Sequence, residues 1–182
     1  MTEPFTRGVF GQDEALIGWA CDKIGYVKAT RFAGCHAIGV VDGRGQLGAA
    51  AIYGPDDDFK DCEISFALQP GFYLSRAAIS MFLRYPFGQL KYVRVTAVTP
   101  HKATSTRQFL EKLGFKREGV LRRRFGTDDA VVYGLLAKEW ARSVFNIERR
   151  TDVPPLRVRK NLGHGQEGRQ HAGPSAGSGA DG

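Results

Sequence analysis

Few residues of this 182-residue chain stand at spacings that do chemistry unaided. Cys21, Cys35 and Cys62 are odd in number and far apart, with no Cys-x-x-Cys pair and no His at zinc-ligand spacing; they read as reduced, partly buried thiols, and no metal is expected. His36, His101, His164 and His171 form no constellation: His36 falls in an expected core strand, His101 at a strand-to-helix junction and two in the tail. Arg122, Arg123 and Arg124 concentrate positive charge, but adjacent strand residues point to opposite faces, so at most Arg122 and Arg124 share a surface. Glu63 lies on the face opposite Ile64 and Phe66, where a carboxylate can take up a proton or pair with a nearby arginine. Thr106 is a hydroxyl early in an expected helix, where it can satisfy backbone groups or face a ligand.

The elements that position these groups follow from periodicity. Residues 12–24 read as a helix with Ala15, Leu16, Trp19, Ala20 and Ile24 on its apolar stripe, ended by Gly25. Apolar runs at 35–41 and 47–53 flank the turn-rich Asp42-Gly-Arg-Gly and predict a β-hairpin, followed by a strand at 61–68. Pro70-Gly71 breaks the chain, and Ser75 is the expected N-cap of a helix at 77–85 that Pro86 closes. A β-branched strand at 92–98 is followed by Pro100, then by a helix at 102–113 with Thr106, Phe109, Leu110 and Leu113 on one face and Gly114 as terminator. Phe115 starts a strand, and runs at 119–125 and 130–136 flank Gly126-Thr-Asp-Asp. This order predicts an α+β fold with both central helices crossing over one twisted mixed sheet.

After Trp140 the composition shifts to Arg, Pro, Gly and Ser. A folded domain at 1–148 is therefore expected, with a basic tail at 149–182 that lacks the apolar surface to order itself from about residue 161. The net charge is +7; from residue 141 onward seven Lys/Arg oppose four Asp/Glu, so the tail holds +3 of it. That balance suits an anionic partner without marking a nucleic-acid binder, which stays a weak candidate. No apolar run is long enough to span a membrane and no secretory signal opens the chain, so it reads as soluble and cytoplasmic, a monomer or homodimer.

The run Thr106-Arg-Gln-Phe-Leu-Glu-Lys-Leu-Gly-Phe-Lys-Arg-Glu-Gly resembles the signature of the GNAT superfamily of acyl-CoA N-acyltransferases. Ala130-Val-Val-Tyr-Gly-Leu-Leu-Ala-Lys-Glu-Trp resembles the last strand of its ribosomal-protein alanine acetyltransferase branch. Cys62-Glu-Ile-Ser-Phe-Ala-Leu-Gln-Pro resembles the family's central strand, so the likeness covers about residues 10–140. It implies the GNAT fold, a central sheet of six to seven strands flanked by helices, in which strands four and five splay apart to admit the pantetheine arm of acetyl-CoA.

Within that likeness, Glu63 takes the position of the base and Thr106 that of a donor to the departing thiolate, with the strand amides near Phe66 and Leu68 polarising the thioester. The pyrophosphate loop is degenerate: Tyr73, Leu74, Ser75, Arg76, Ala77 and Ala78 stand where the family shows Q/R-x-x-G-x-G/A, and only Ala78 agrees. A helix N-terminus there still offers backbone amides to an anion, aided by the Ser75 hydroxyl and the Arg76 charge. The asparagine often found three residues before Thr106 is Ala103 here, and a tyrosine acid four residues before the glycine is excluded by Leu110. The expected reaction is acetyl transfer from acetyl-CoA to a primary amine: a protein N-terminus, a lysine or a small molecule. The alternative is a lapsed GNAT-fold binding or structural protein whose basic tail engages an anionic partner.

Overall fold

The fold is that of a computed structural model, which describes residues 7–55 and 58–147. Strand β1 (Arg7–Val9) leads into helix α1 (Asp13–Ile24), a single 3-10 turn (Ala29–Phe32), and strands β2 (His36–Val41), β3 (Leu47–Tyr53) and β4 (Asp61–Leu68). Helix α2 (Arg76–Arg84) and a π-turn (Tyr85–Gln89) carry the chain to β5 (Arg94–Pro100), and α3 (Thr104–Leu113) carries it to β6 (Lys116–Phe125), β7 (Asp128–Leu136) and the short α4 (Ala137–Trp140). The seven strands form one sheet in the order β1-β2-β3-β4-β5-β7-β6, in which β4–β5 is parallel and every other pair antiparallel. The expected α+β mixed sheet is present. The tail expected at 149–182 lies outside the described residues.

Alternation in the central strands builds two cores, one on each face of the sheet. Ala50, Ile52 and Ala67 meet α1 through Leu16, Ile17, Ala20 and Cys21, whereas Ala49, Ala51, Tyr53, Cys62 and Ile64 meet α2 and α3 through Ile79, Phe82, Leu110 and Leu113. The buried stripe of α1 is therefore rotated from the expected one: Ala15 is exposed, and Ile17 and Cys21 take its place as the i+4 partners that close the face. Gly114 ends α3 at φ 97°, its N–H bonding Glu111 and Leu110 carbonyls, so the chain reverses into β6 where a side chain would be strained.

Four local expectations are corrected. Pro86 does not end the helical path: α2 stops at Arg84, but a π-turn continues to Gln89 with Leu90 N–H on the Tyr85 carbonyl at 3.1 Å, and the Phe82 carbonyl, which an N–H at 86 would meet, accepts from the Tyr53 hydroxyl at 2.8 Å. Strand β5 includes Pro100; the Val93 carbonyl accepting from Ala137 and the His101 N–H donating to Asp129 put odd residues toward β7 and residue 100 on the β4 side, where β4 has already diverged and no N–H is missed. Arg123 has φ 54° inside a β-bulge, and its N–H donates to Asp129 at 2.7 Å, so simple alternation fails across the arginine run. His36 is exposed rather than in the core, its ring 3.2 Å from the Asp13 carboxylate. The three-residue β1 gave no periodic signal and was not expected.

Candidate functional site

The site begins where the sheet parts. Strands β4 and β5 face one another only at Asp61↔Arg94, Cys62↔Val95 and Glu63↔Thr96. Beyond Glu63, β4 stays paired to β3 through Leu68, while β5 stays paired to β7 through Pro100, so a wedge opens between them. A polar clamp ties the closed end: Thr96 Oγ1 donates to Asp61 at 2.9 Å, Arg94 Nε to Asp61 at 3.3 Å, and the Arg94 guanidinium grips both Glu118 oxygens.

Backbone direction inside the wedge follows from two bonds to β3. Gly54 N–H donates to the Glu63 carbonyl and Gln69 N–H to Gly48, each at 2.8 Å, so odd-numbered residues of β4 point toward β3. The C=O of Ile64 and the N–H and C=O groups of Phe66 and Leu68 therefore point into the opening, where β5 no longer meets them. Strand amides left without a ladder partner in a half-buried cleft are ready to meet a ligand's polar atoms.

Side chains from six elements line the opening. A narrow cavity of about 40 Å³ holds Tyr26, Arg31, Glu63, Thr99, Thr106 and Phe125 around the gap, and it runs into one of about 340 Å³ between β4 and the start of α3, lined by Phe66, Leu68, Ala103, Ser105, Thr106 and Phe109. Tyr26, Phe66 and Thr106 line both. Thr106 is exposed, and α3 has Ala103 at its N-cap with no side-chain cap, so the positive end of the helix opens on the cleft. Phe66 stacks edge-on against Phe109 at 5.6 Å, and Tyr26 against Phe125 at 5.3 Å. Among the described residues the buried Thr99 hydroxyl has no well-formed hydrogen bond, though the Tyr26 phenol lies close enough to be affected by it.

Glu63 lies at the closed end of this cleft, where Arg31 Nη2 is 2.9 Å from its Oε1. Both side chains are more than a third exposed, so the pair is a weak, exchangeable one. On its far side the same pair borders an open cavity of about 180 Å³ with Cys35, Pro55 and Ser65. Burial holds the Cys35 thiol above its ordinary range and the Glu63 carboxylate adds to that, against a smaller opposing effect of Arg31. Burial likewise raises Tyr26, against smaller opposing effects of Thr99 and Arg31, so its phenol is neutral.

The loop from β4 to α2 is held from both ends. Phe72 packs against Gly48, where a Cβ would overlap its ring, and Ser75 caps α2 by accepting from Ala78 N–H at 3.2 Å. Ser75 is 1% exposed, and its hydroxyl is engaged by the first turn of α2. Tyr73 is exposed, Leu74 packs on the core, and Arg76 lies over the Phe145 ring at 5.9 Å. Ala78 is buried, whereas Ala77 borders a different cavity on the β1 side of α2. What remains for an anion is the end of α2, with its amides and the Arg76 charge.

Glu63, Thr106, Phe66 and Leu68 thus share one cleft, and residues 73–78 lie beyond its open end. His101 is exposed, its N–H bonded to the Asp129 carbonyl. Sequence reasoning missed Tyr26, Arg31, Thr99 and Phe125. Tyr26 and Arg31 sit in an aperiodic segment after Gly25, and only the fold brings them to Glu63. No group of three or more His, Cys, Asp or Glu that could hold a metal occurs among the described residues.

No protein-family model matches the chain, and no curated protein does. Solved structures do. A spermidine N-acetyltransferase SpeG chimera of Vibrio cholerae and hSSAT is similar over 75% of this chain and 98% of its own, at 14% identity and TM-score 0.62. A candidate acetyltransferase from T. thermophilus is 26% identical over 62% of this chain and 65% of its own, with TM-score 0.53. An acetyltransferase of the GNAT family from Bacillus anthracis is 21% identical over 60% and 71%, with TM-score 0.50. The chain has the GNAT fold.

Proposed function

We propose that this chain is an N-acetyltransferase that moves an acetyl group from acetyl-CoA to a primary amine by direct attack. The observation that carries the reading is the wedge past Glu63–Thr96, with the inward-facing amides of Phe66 and Leu68, the uncapped start of α3, and a carboxylate at its closed end. The acetyltransferases that share the fold support it. The run from Ala130 to Trp140, which resembles the last strand of the ribosomal-protein alanine acetyltransferase branch, further supports a place near that branch.

In this reading Glu63 takes a proton from the incoming ammonium, directly or through water, and frees its lone pair. The nitrogen bonds to the thioester carbon while the Phe66 and Leu68 amides stabilise the oxygen that gains charge. The C–S bond then breaks with its electron pair on sulfur. The Thr106 hydroxyl and the positive end of α3 stabilise that thiolate, which takes up a proton as the new amide gives up another. One ammonium and one thioester become one amide, one thiol and one released proton.

Arg76 in place of the loop glycine narrows the anion contact to the end of α2, and that departure is what a lapsed site would share. Calorimetry with acetyl-CoA, followed by thiol release on adding amines, tests the reading. Micromolar binding that Thr106→Arg abolishes, together with amine-dependent thiol release, is the expected result. No heat at millimolar ligand defeats it.

A further inference from the structure

We infer that the amine acceptor is a small zwitterion, an α-amino acid or a close analogue with its ammonium beside a free carboxylate; this rests on the acetyltransferase reading above. The inference comes from the charges at the cleft. Among the described residues lining its three connected or adjoining cavities, the charged side chains are Glu63, Arg31 and Lys23. Lys23 borders the wider cavity beside α3, and it reaches over the Trp19 ring at 5.7 Å. That leaves one carboxylate and one guanidinium, 2.9 Å apart, at the closed end where the amine must be deprotonated.

A ligand bringing an ammonium alone must share Glu63 with Arg31, which sets a second positive charge beside the guanidinium. A ligand bringing both charges exchanges one ion pair for two: its ammonium meets Glu63 and its carboxylate meets Arg31. Guanidinium recognises a carboxylate through two parallel N–H donors, which fixes the ligand's orientation as well as its charge. An α-amino acid holds its two charges on one carbon, matching the short separation of Arg31 and Glu63. The pair borders both the narrow cavity inside the wedge and the open cavity of about 180 Å³ outside it, so an acceptor entering from outside meets Arg31 and Glu63 together before it reaches the wedge.

The same arithmetic disfavours a polyamine. A second ammonium on the acceptor finds no second carboxylate in this lining and meets Arg31 instead. In this respect the cleft differs in expected preference from the spermidine acetyltransferases that share its fold.

The test measures kcat/KM for thiol release by the full-length protein with acetyl-CoA and L-amino acids, their carboxamides, and spermidine. A charge-assisted contact to Arg31 predicts a preference of about 10- to 100-fold for acid over amide. Arg31→Met brings that ratio close to one. Equal or better use of the amides or of spermidine, or a ratio that survives Arg31→Met, overturns the inference. The wild-type comparison stands even where the variant fails to fold. Amine-dependent release without a carboxylate preference removes this inference and leaves the acetyltransferase reading intact; absence of release with every amine removes both.

Discussion

Glu63 and Thr96 are the last residues of β4 and β5 to face one another, and the side chains immediately behind them are tied through Asp61 and Arg94. The wedge thus has a fixed apex. Its opening angle depends on how firmly the apex is held, which makes the clamp a first target.

Arg94→Ala removes the donor shared by Asp61, Thr96 and Glu118, leaving the partly buried Asp61 with Thr96 alone of these two donors and the exposed Glu118 without the guanidinium. A loss of about 1–3 kcal/mol is expected in urea denaturation. Weaker acetyl-CoA binding should accompany it, because the apex loosens.

The bond from Arg94, ahead of the smaller cost of burial, holds Glu118 below the ordinary carboxylate range. A carboxyl depressed in the folded state adds stability that is complete above its unfolded pKa, about 4.3, and is lost as pH falls through the lower folded value. The difference in Tm between wild type and Glu118→Gln should therefore be full at about pH 7 and shrink below about pH 4.

Gly48→Ala places a methyl into the Phe72 ring. The ring must move, and with it the loop that carries residues 73–75 into α2. Overpacking of this kind costs about 1–3 kcal/mol. Acetyl-CoA affinity should fall more than thermal stability alone explains, measured by calorimetry well below the variant's Tm.

Glu63→Gln should lower kcat for thiol release by about 100-fold or more, the loss expected when a general base is removed. Substrate-independent acetyl-CoA binding should be retained. Thr106→Ala separates the hydroxyl from the helix end: a modest fall in kcat assigns the thiolate chiefly to the α3 dipole.

The fold was legible because its determinants are local. The hairpin turn at Asp42, the Ser75 cap and Gly114 each act within a few residues, and the structure has all three where the sequence put them. Glu63 was legible as a strand carboxylate for the same reason. Its partner was not: Arg31 lies 32 residues away in a 3-10 turn with no periodicity, and only packing of α1 on the sheet brings it near. The end of β5 was misjudged because a proline ordinarily terminates a strand. Here the neighbour that would have needed its N–H is gone.

The apex also divides the chain as a folding unit. β1 to β4 on one side and β5 to β7 on the other are joined internally by antiparallel ladders, including two hairpins, whereas the seam between them is three parallel pairs reached only through the crossover by way of α2. Pairings that close a long loop form late, and sparse ladders open at low cost. In hydrogen exchange the seam should open below the global unfolding free energy, and a molecule lying in the wedge should slow that opening. The ligand would then act as the missing rungs of an unfinished sheet.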